Sequence, residues 1–427
     1  MSAQQKKGHV VAFAFPFGSH PTPLLHLVQR LAAAAPGVNF SYFNTAESNQ
    51  KVLPTADLKS YDNIKAYDVE DGLPEGYVFS GNPLERIELF VKSTPDNFRR
   101  RLEEVVEETG LKASCLLTDA FLWFSVDMAA ELGIPWVAFW TAGPAPISLH
   151  MYTDVIHSRL GQNAQNQDQT LDFLPGLSAI HASDLPHELL HLDQPFSRLL
   201  YDMSLALPRA TAVVLNSFAG IDPDVETDLK SKLKRSSTHA AASVAYISFG
   251  TMLTPPPPEL LALAEALEEK QIPYLWSFRD DSKRQLLQPL FRKTGSVGKV
   301  VEWAPQTPNP GASFGRGFRD ALRWNSVVES ITGGVPMICR RFRRPDDKQA
   351  ACAGRVADWG GRGGRRFSKS GMMTALDVVM SVGEGKKMRE NIGRLRECAS
   401  RAVAENGSST ENFKSLVDIV TSSSHQE

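Results

Sequence analysis

Val10-Val11-Ala12-Phe13-Ala14-Phe15, closed by Pro16 and joined through Phe17-Gly18-Ser19-His20 to the segment Pro23 to Ala35, is the stretch on which the fold turns. A short, apolar, β-leaning run predicts a strand, and Leu24, Leu25, Leu27, Val28 and Leu31 recur at helical spacing. Strand, loop and helix therefore follow one another. The alternation continues outward: Val38 to Phe43 reads as a strand, Ile87 to Glu108 as a long helix, Ala113 to Leu117 as a strand, and Trp123 to Leu132 as a helix leading into the strand Trp136 to Phe139. Strands alternating with helices imply a parallel, doubly wound sheet.

The pattern begins again at Val244 to Phe249, where an apolar strand meets Gly250-Thr251, a proline run and the strongly helical Glu259 to Lys270. Tyr274 to Phe278 and Lys299 to Trp303 read as the next strands. Two successive α/β domains follow, over residues 1–235 and 244–427, with a short linker over 236–243 and a last helix free to pack back on the first domain. Open α/β sheets bind ligands outside the carboxyl ends of their strands, which places a site in the cleft between the halves.

Composition narrows the function classes. The 427 residues are 42% hydrophobic and 22% charged, an ordinary globular balance. Lys plus Arg total 46 against 48 for Asp plus Glu, so no global charge favours nucleic acid or a membrane surface. A small molecule is the expected partner. Cys115, Cys339, Cys352 and Cys398 show neither a CxxC nor a regular spacing, which fits a reduced, cytoplasmic setting without a metal site. The Phe/Pro-rich start reads as a first strand rather than a signal peptide, and no run approaches the ~18 apolar residues of a membrane span.

Two polar residues stand at strand ends. His20 follows the first strand, and its neutral imidazole could take a proton from a substrate hydroxyl; the competing reading is a loop histidine that caps the helix. Asp119 follows the strand Ser114 to Leu117, where it could bond the far ring nitrogen of His20 and stabilise its charged form, or serve as a plain helix cap. Position alone leaves both pairs of readings open.

The specific signal lies later: Trp303-Ala304-Pro305-Gln306, then Trp324-Asn325-Ser326-Val327-Val328-Glu329-Ser330-Ile331, then Gly333-Gly334-Val335-Pro336. This resembles the signature box of plant secondary-product, UDP-dependent glycosyltransferases. Without that resemblance Trp303 and Trp324 would read as core aromatics. Phe13 to His20, Asp71-Gly72-Leu73-Pro74-Glu75-Gly76-Tyr77, Phe139-Trp140-Thr141-Ala142-Gly143-Pro144 and Gly407-Ser408-Ser409-Thr410-Glu411-Asn412-Phe413 are similar to flavonoid and anthocyanidin 3-O-glucosyltransferases, so the likeness spans nearly the whole chain.

The resemblance implies the GT-B architecture, two Rossmann-like domains facing a cleft, and transfer of glucose or another hexose from a UDP-sugar to a flavonoid or anthocyanidin 3-hydroxyl. It casts His20 as the base of an inverting reaction and Asp119 as its partner. Trp303 would stack on uracil, with Ala304 beside it in the same motif and Gln306 beside the uracil and ribose; Glu329 would accept from the ribose hydroxyls. Asn325 and Ser326, after Trp324 at a helix start, would face the diphosphate. Ser19 and Thr251 would lie near that diphosphate, Thr141 near the donor sugar, and His150 in the acceptor pocket. Phe15, Phe17, Phe121 and Trp140 are candidate aromatic walls for a planar polyphenol, or ordinary core residues. The UDP-sugar is a co-substrate; no cofactor and no metal is implied.

Three departures from that pattern stand out. Gly315 to Arg323 replaces an apolar strand ending in Thr-His-Cys-Gly, with Ala321 at the place of the His. Phe342-Arg343-Arg344-Pro345-Asp346-Asp347-Lys348-Gln349 replaces Phe-Gly-Asp-Gln, with Asp347 as the available acid for a sugar hydroxyl. Lys230 to Arg235 runs almost directly into Val244, without the family's longer linker. Arg343 to Ala350 can be encoded so that the next reading frame spells Gly-Asp-Gln-Thr-Thr-Asn-Lys, and Gly315 to Arg323 so that it ends in Thr-His-Cys-Gly. Two short out-of-frame segments in the gene for an active enzyme, or an impaired homologue that keeps the acceptor pocket, are the alternatives the sequence leaves open.

Overall fold

The computed structural model describes residues 8–161, 169–233, 236–238, 256–269, 275–277, 299–301, 324–334, 336, 337 and 369–422. Backbone contacts divide the chain into two compact units, one built from residues 1–217, 222–239 and 405–427, the other from 218–221 and 240–404.

The first unit is organised by a seven-stranded sheet. Its strands are β1 (His9–Phe13), β2 (Asn39–Thr45), β3 (Ile64–Val69), β4 (Cys115–Asp119), β5 (Trp136–Trp140), β6 (Ala212–Leu215) and β7 (Ser236–Thr238), in the order β3-β2-β1-β4-β5-β6-β7. Every pairing is parallel. Side chains alternate across the pleat. Val11, Phe13, Leu116, Ala138 and Trp140 enter one core cluster. Val10, Ala12, Cys115, Leu117, Val137 and Phe139 enter the other. Both faces are buried, which is why these strands read as unbroken apolar runs.

Helices cover both faces. α1 (Pro21–Ala34) lays Leu24, Leu25, Val28 and Leu31 on one face. On the same face the helix Ser408–Thr421 adds Leu416, Ile419 and Val420. The opposite face carries the long helix Pro83–Thr109, through Phe90, Phe98, Leu102 and Val105, and the helices Pro144–Met151 and Pro195–Ala206. Because β1 pairs with β2 on one side and β4 on the other, the strand order reverses between β1 and β4. In open α/β sheets ligands bind outside the carboxyl ends of the strands at such a reversal.

The second unit pairs β8 (Leu275–Ser277) with β9 (Lys299–Val301) in parallel. Leu260, Ala264, Leu267 and Trp276 pack with Ala375 and Leu376, joining the helix Pro257–Glu269 to the helix Lys369–Met380. A further cluster joins Val327 and Ile331 of the helix Trp324–Gly333 to Ala399 and Ala402 of the helix Glu384–Ala402, with Phe218 and Ile221.

Three strands have no counterpart in the sequence reading. β3 interrupts its apolar residues irregularly with Lys65 and Asp68, β6 has only four residues, and β7 is wholly polar. Residues 236–238, read as the opening of the linker, extend the sheet by pairing Ser236 with Val213 and Thr238 with Leu215. Val244 to Phe249, the segments 307–323 and 343–350, and residues 239–243 lie outside the described residues.

Leu416 is 3% exposed, so Leu416→Ala should cost about 2 to 4 kcal/mol of stability in urea unfolding. A loss below about 0.5 kcal/mol would show that the last helix is not held in this core.

Candidate active site

The site of the first unit begins with a turn. Gly18 adopts φ 65, a left-handed conformation open to glycine, and the His20 amide donates to the Phe17 carbonyl at 3.4 Å. Pro21 then opens α1. Tyr42 holds this start by donating its hydroxyl to the Pro21 carbonyl at 3.2 Å. Burial, and next the charge of Asp119, push the Tyr42 phenol well above its ordinary value. Ser19 lies in the turn itself.

His20 occupies the N-cap position of α1 without a side-chain capping bond, so the capping reading does not hold. Its ring turns toward β4 instead. Nδ1 lies 2.8 Å from Oδ2 of Asp119, the last residue of β4, with the carboxylate 1% and the imidazole 20% exposed. The other Asp119 oxygen accepts the Phe121 amide at 3.0 Å. The next helix starts at Ser125, so Asp119 closes a tight turn rather than capping that helix. A carboxylate only accepts, so the proton of the contact belongs to Nδ1, and in the neutral ring the lone pair lies on Nε2. Thr141, one residue past β5, brings its hydroxyl to 3.3 Å from the same Nδ1.

Aromatic rings surround the imidazole. Phe15 and Phe121 stand 5.2 and 4.7 Å from it between centroids. Phe15 also meets Phe17 at 5.2 Å and Phe121 at 5.1 Å, and Phe121 meets Trp140 at 6.0 Å. Phe15 and Trp140 are buried, whereas Phe17 and Phe121 keep part of their surface open. Trp140 anchors its indole N–H on the Gly143 carbonyl at 2.8 Å. His150, on the helix Pro144–Met151, lies 6.2 Å from Trp140, and burial pushes its imidazole down to about 4.

Two rings of this cluster escape the sequence reading. Phe90 reaches both Phe15 and Phe17, and Phe196 meets Phe121 at 6.1 Å. Both sit on helices where an apolar residue signals core and nothing more.

In the second unit, Trp324, Asn325, Ser326 and Glu329 occupy the first turns of the helix Trp324–Gly333. Trp324 packs, partly buried, against the cluster of Phe218, Val327 and Ile331, so its indole also serves the core. Asn325 and Glu329 are half-buried. Thr251, Trp303, Ala304, Gln306 and Asp347 lie outside the described residues. Among the described residues no cluster of three or more His, Cys, Asp or Glu could hold a metal ion. Among them too, no helix is long and apolar enough to cross a membrane.

Residues 194–400 match the family model described as UDP-glucoronosyl and UDP-glucosyl transferase. A flavonol 3-O-glucosyltransferase of Actinidia chinensis var. chinensis is 46% identical, over 100% of this chain and 99% of its own length. That alignment spans 463 positions against 427 residues here, so the relative carries segments this chain lacks. The anthocyanidin 3-O-glucosyltransferase UFGT of Vitis vinifera is 43% identical, over 99% of both chains. Among solved structures, a UDP-glucose:anthocyanidin 3-O-glucosyltransferase in complex with UDP superposes with a TM-score of 0.84 at 33% identity, covering 98% of this chain and 100% of the other. Medicago truncatula UGT71G1 complexed with UDP-glucose shares the fold, at a TM-score of 0.76 and 18% identity, over 99% of this chain and 100% of its own.

His150 gives a test of the site's polarity. An unfolded chain protonates this imidazole near pH 6.5, whereas the folded one stays neutral down to about 4, so acid favours the unfolded state. Stability should fall as pH drops from 6.5 to 4, by up to ~3 kcal/mol from this residue. Urea midpoints at pH 7 and pH 4 should diverge less in His150→Phe than in the wild type; equal divergence would mean that the ring is not buried.

Proposed function

The chain belongs to the UDP-glucosyl transferase family, a GT-B fold, and from that premise we propose that it transfers glucose or another hexose from a UDP-sugar to the 3-hydroxyl of a flavonoid or anthocyanidin. The observation that carries the reading is the His20–Asp119 contact of 2.8 Å at the carboxyl ends of β1 and β4, where the strand order reverses, ringed by aromatic side chains. A planar polyphenol placed against Phe17 and Phe121 would bring a hydroxyl toward the imidazole.

Nε2 of His20 takes the proton of that hydroxyl, and the oxygen attacks the anomeric carbon from the face opposite the departing UDP, inverting its configuration. Asp119 keeps the productive tautomer and offsets the positive charge that the ring acquires. His150, neutral at physiological pH by burial, offers a hydrogen bond to the acceptor without adding charge to an apolar wall.

For the donor, Asn325 and Ser326 stand where backbone amides and the positive end of a helix dipole neutralise a diphosphate, which requires no metal and no resident cofactor. Glu329, one turn further, would accept from the ribose hydroxyls. Trp303 with Ala304, Gln306, Thr251, Ser19 and Asp347 complete the assignment as uracil, ribose, diphosphate and sugar contacts, and Thr141 presents its hydroxyl to the sugar beside the base. Near-neutral composition and four scattered cysteines support a cytoplasmic enzyme acting on small molecules, with neither nucleic acid nor membrane as partner.

His20→Ala should lower kcat by at least ~10³-fold while UDP-glucose still binds. Product formation followed chromatographically, with donor binding followed by calorimetry, checks both; substantial residual glucosylation would remove His20 as the base. Phe121→Ala should raise the KM for a flavonol about 10-fold while changing the donor KM by less than about two-fold, the loss of one aromatic contact. A protein that binds flavonol but neither binds nor turns over UDP-glucose would overturn the enzymatic reading.

A further inference from the structure

Polar residues at the carboxyl end of the sheet form a row across four neighbouring strands. His20 follows β1, Asp119 ends β4, Thr141 follows β5 and Asn216 follows β6, and these strands are adjacent in that order. Three hydrogen-bonding contacts join them: His20 to Asp119 at 2.8 Å, Thr141 to His20 at 3.3 Å, and the Asn216 side-chain amide, donating to the Thr141 carbonyl, at 3.2 Å. The Asn216 backbone amide also donates to the Trp140 carbonyl at 2.9 Å. One residue thus grips two successive carbonyls.

We infer that Asn216 is a positioning residue for the transfer: by clamping the Trp140 and Thr141 carbonyls it holds the Thr141 hydroxyl against Nδ1 of His20, and so fixes the ring whose Nε2 takes the acceptor's proton. The inference rests on His20 being the base.

On its own the Asp119 contact leaves one motion of the imidazole, about the line joining Nδ1 and Oδ2, that only the Phe15 and Phe121 rings limit. A second acceptor at the same nitrogen removes that freedom. Thr141 lies one residue beyond the β5–β6 ladder, whose last register pair is Trp140 with Leu215, so its backbone would otherwise lose the sheet's restraint where the side chain must be aimed. The Asn216 backbone amide closes the ladder at Trp140. The side-chain amide carries it one residue further, to Thr141. With its oxygen turned toward Nδ1–H, the Thr141 hydroxyl keeps its own proton to donate elsewhere, which couples the aim of the base to the group that presents the sugar.

A double-mutant cycle on the full-length protein tests this. Asn216→Ala should lower kcat about 10-fold, with KM for flavonol and UDP-glucose within about two-fold. Thr141→Val, which also removes the sugar contact, should lower kcat about as much and raise the KM for UDP-glucose, and the kcat of the double variant should fall little further because both remove one linkage to the ring. A multiplicative loss near 100-fold, or Asn216→Ala within about two-fold of wild type, would overturn the inference. The His20 ring Cε1–H resonance, assigned by its loss in His20→Gln, should move in the same direction in both single variants. An unmoved resonance in Asn216→Ala refutes the clamp even if no sugar is transferred, whereas absence of transfer by the wild type refutes the function instead. Should Asn216→Ala fail to fold, Asn216→Asp keeps the volume and turns an oxygen toward the Thr141 carbonyl, so the same shift and the same loss are read from it.

Discussion

The parallel pairing of β1 with β4, Val10 against Cys115 through Phe13 against Thr118, is the constraint from which the rest of the first unit follows. It places the loop after β1 beside the end of β4, and so brings together two residues 99 positions apart. The pairing is enforced from both faces, because Val11 and Phe13 belong to one core and Val10 and Ala12 to the other. A slip by one residue would exchange the two faces of every paired strand. The approach of imidazole and carboxylate is therefore secured by core packing along the paired strands as well as by their own contact.

The aromatic wall combines two demands. Phe15 and Phe90 are fully enclosed and stiffen the floor, while Phe17, Phe121 and Phe196 keep partly open surfaces. Edge-to-face contacts link the two sets, with Phe15 meeting Phe17 and Phe121 at steep interplanar angles of 61° and 69°. Rings braced against one another in this way hold their orientation, which would reduce the ordering cost of binding a ligand there.

What the sequence revealed depended on how far each residue's role was local. β1 and α1 were legible because an apolar run and a helical stripe are local patterns, and β4 and β5 for the same reason. β3, β6 and β7 were not, since mixed polarity, four residues or three polar residues carry no period. His20 and Asp119 were visible as polar residues at strand ends, and the family resemblance paired them; the ring contacts, and the part played by Thr141 at Nδ1, required the sheet order. Asn216 had no signal at all, being one polar residue after a strand too short to recognise. Phe90 and Phe196 were hidden for the opposite reason, since apolar residues on a helix face announce only burial.

The first unit is assembled from three separate pieces of chain, the last of them the helix containing Leu416, Ile419 and Val420. During synthesis the sheet can form early, but one of its faces remains partly bare until the helix Ser408–Thr421 has been made. The exposed surface is that of α1 and its neighbouring strands, the elements that bear His20. The growing chain therefore closes the core of the half that bears His20 only after the second unit has been made, although that half is begun first, and its unfinished face stays open to solvent in the meantime.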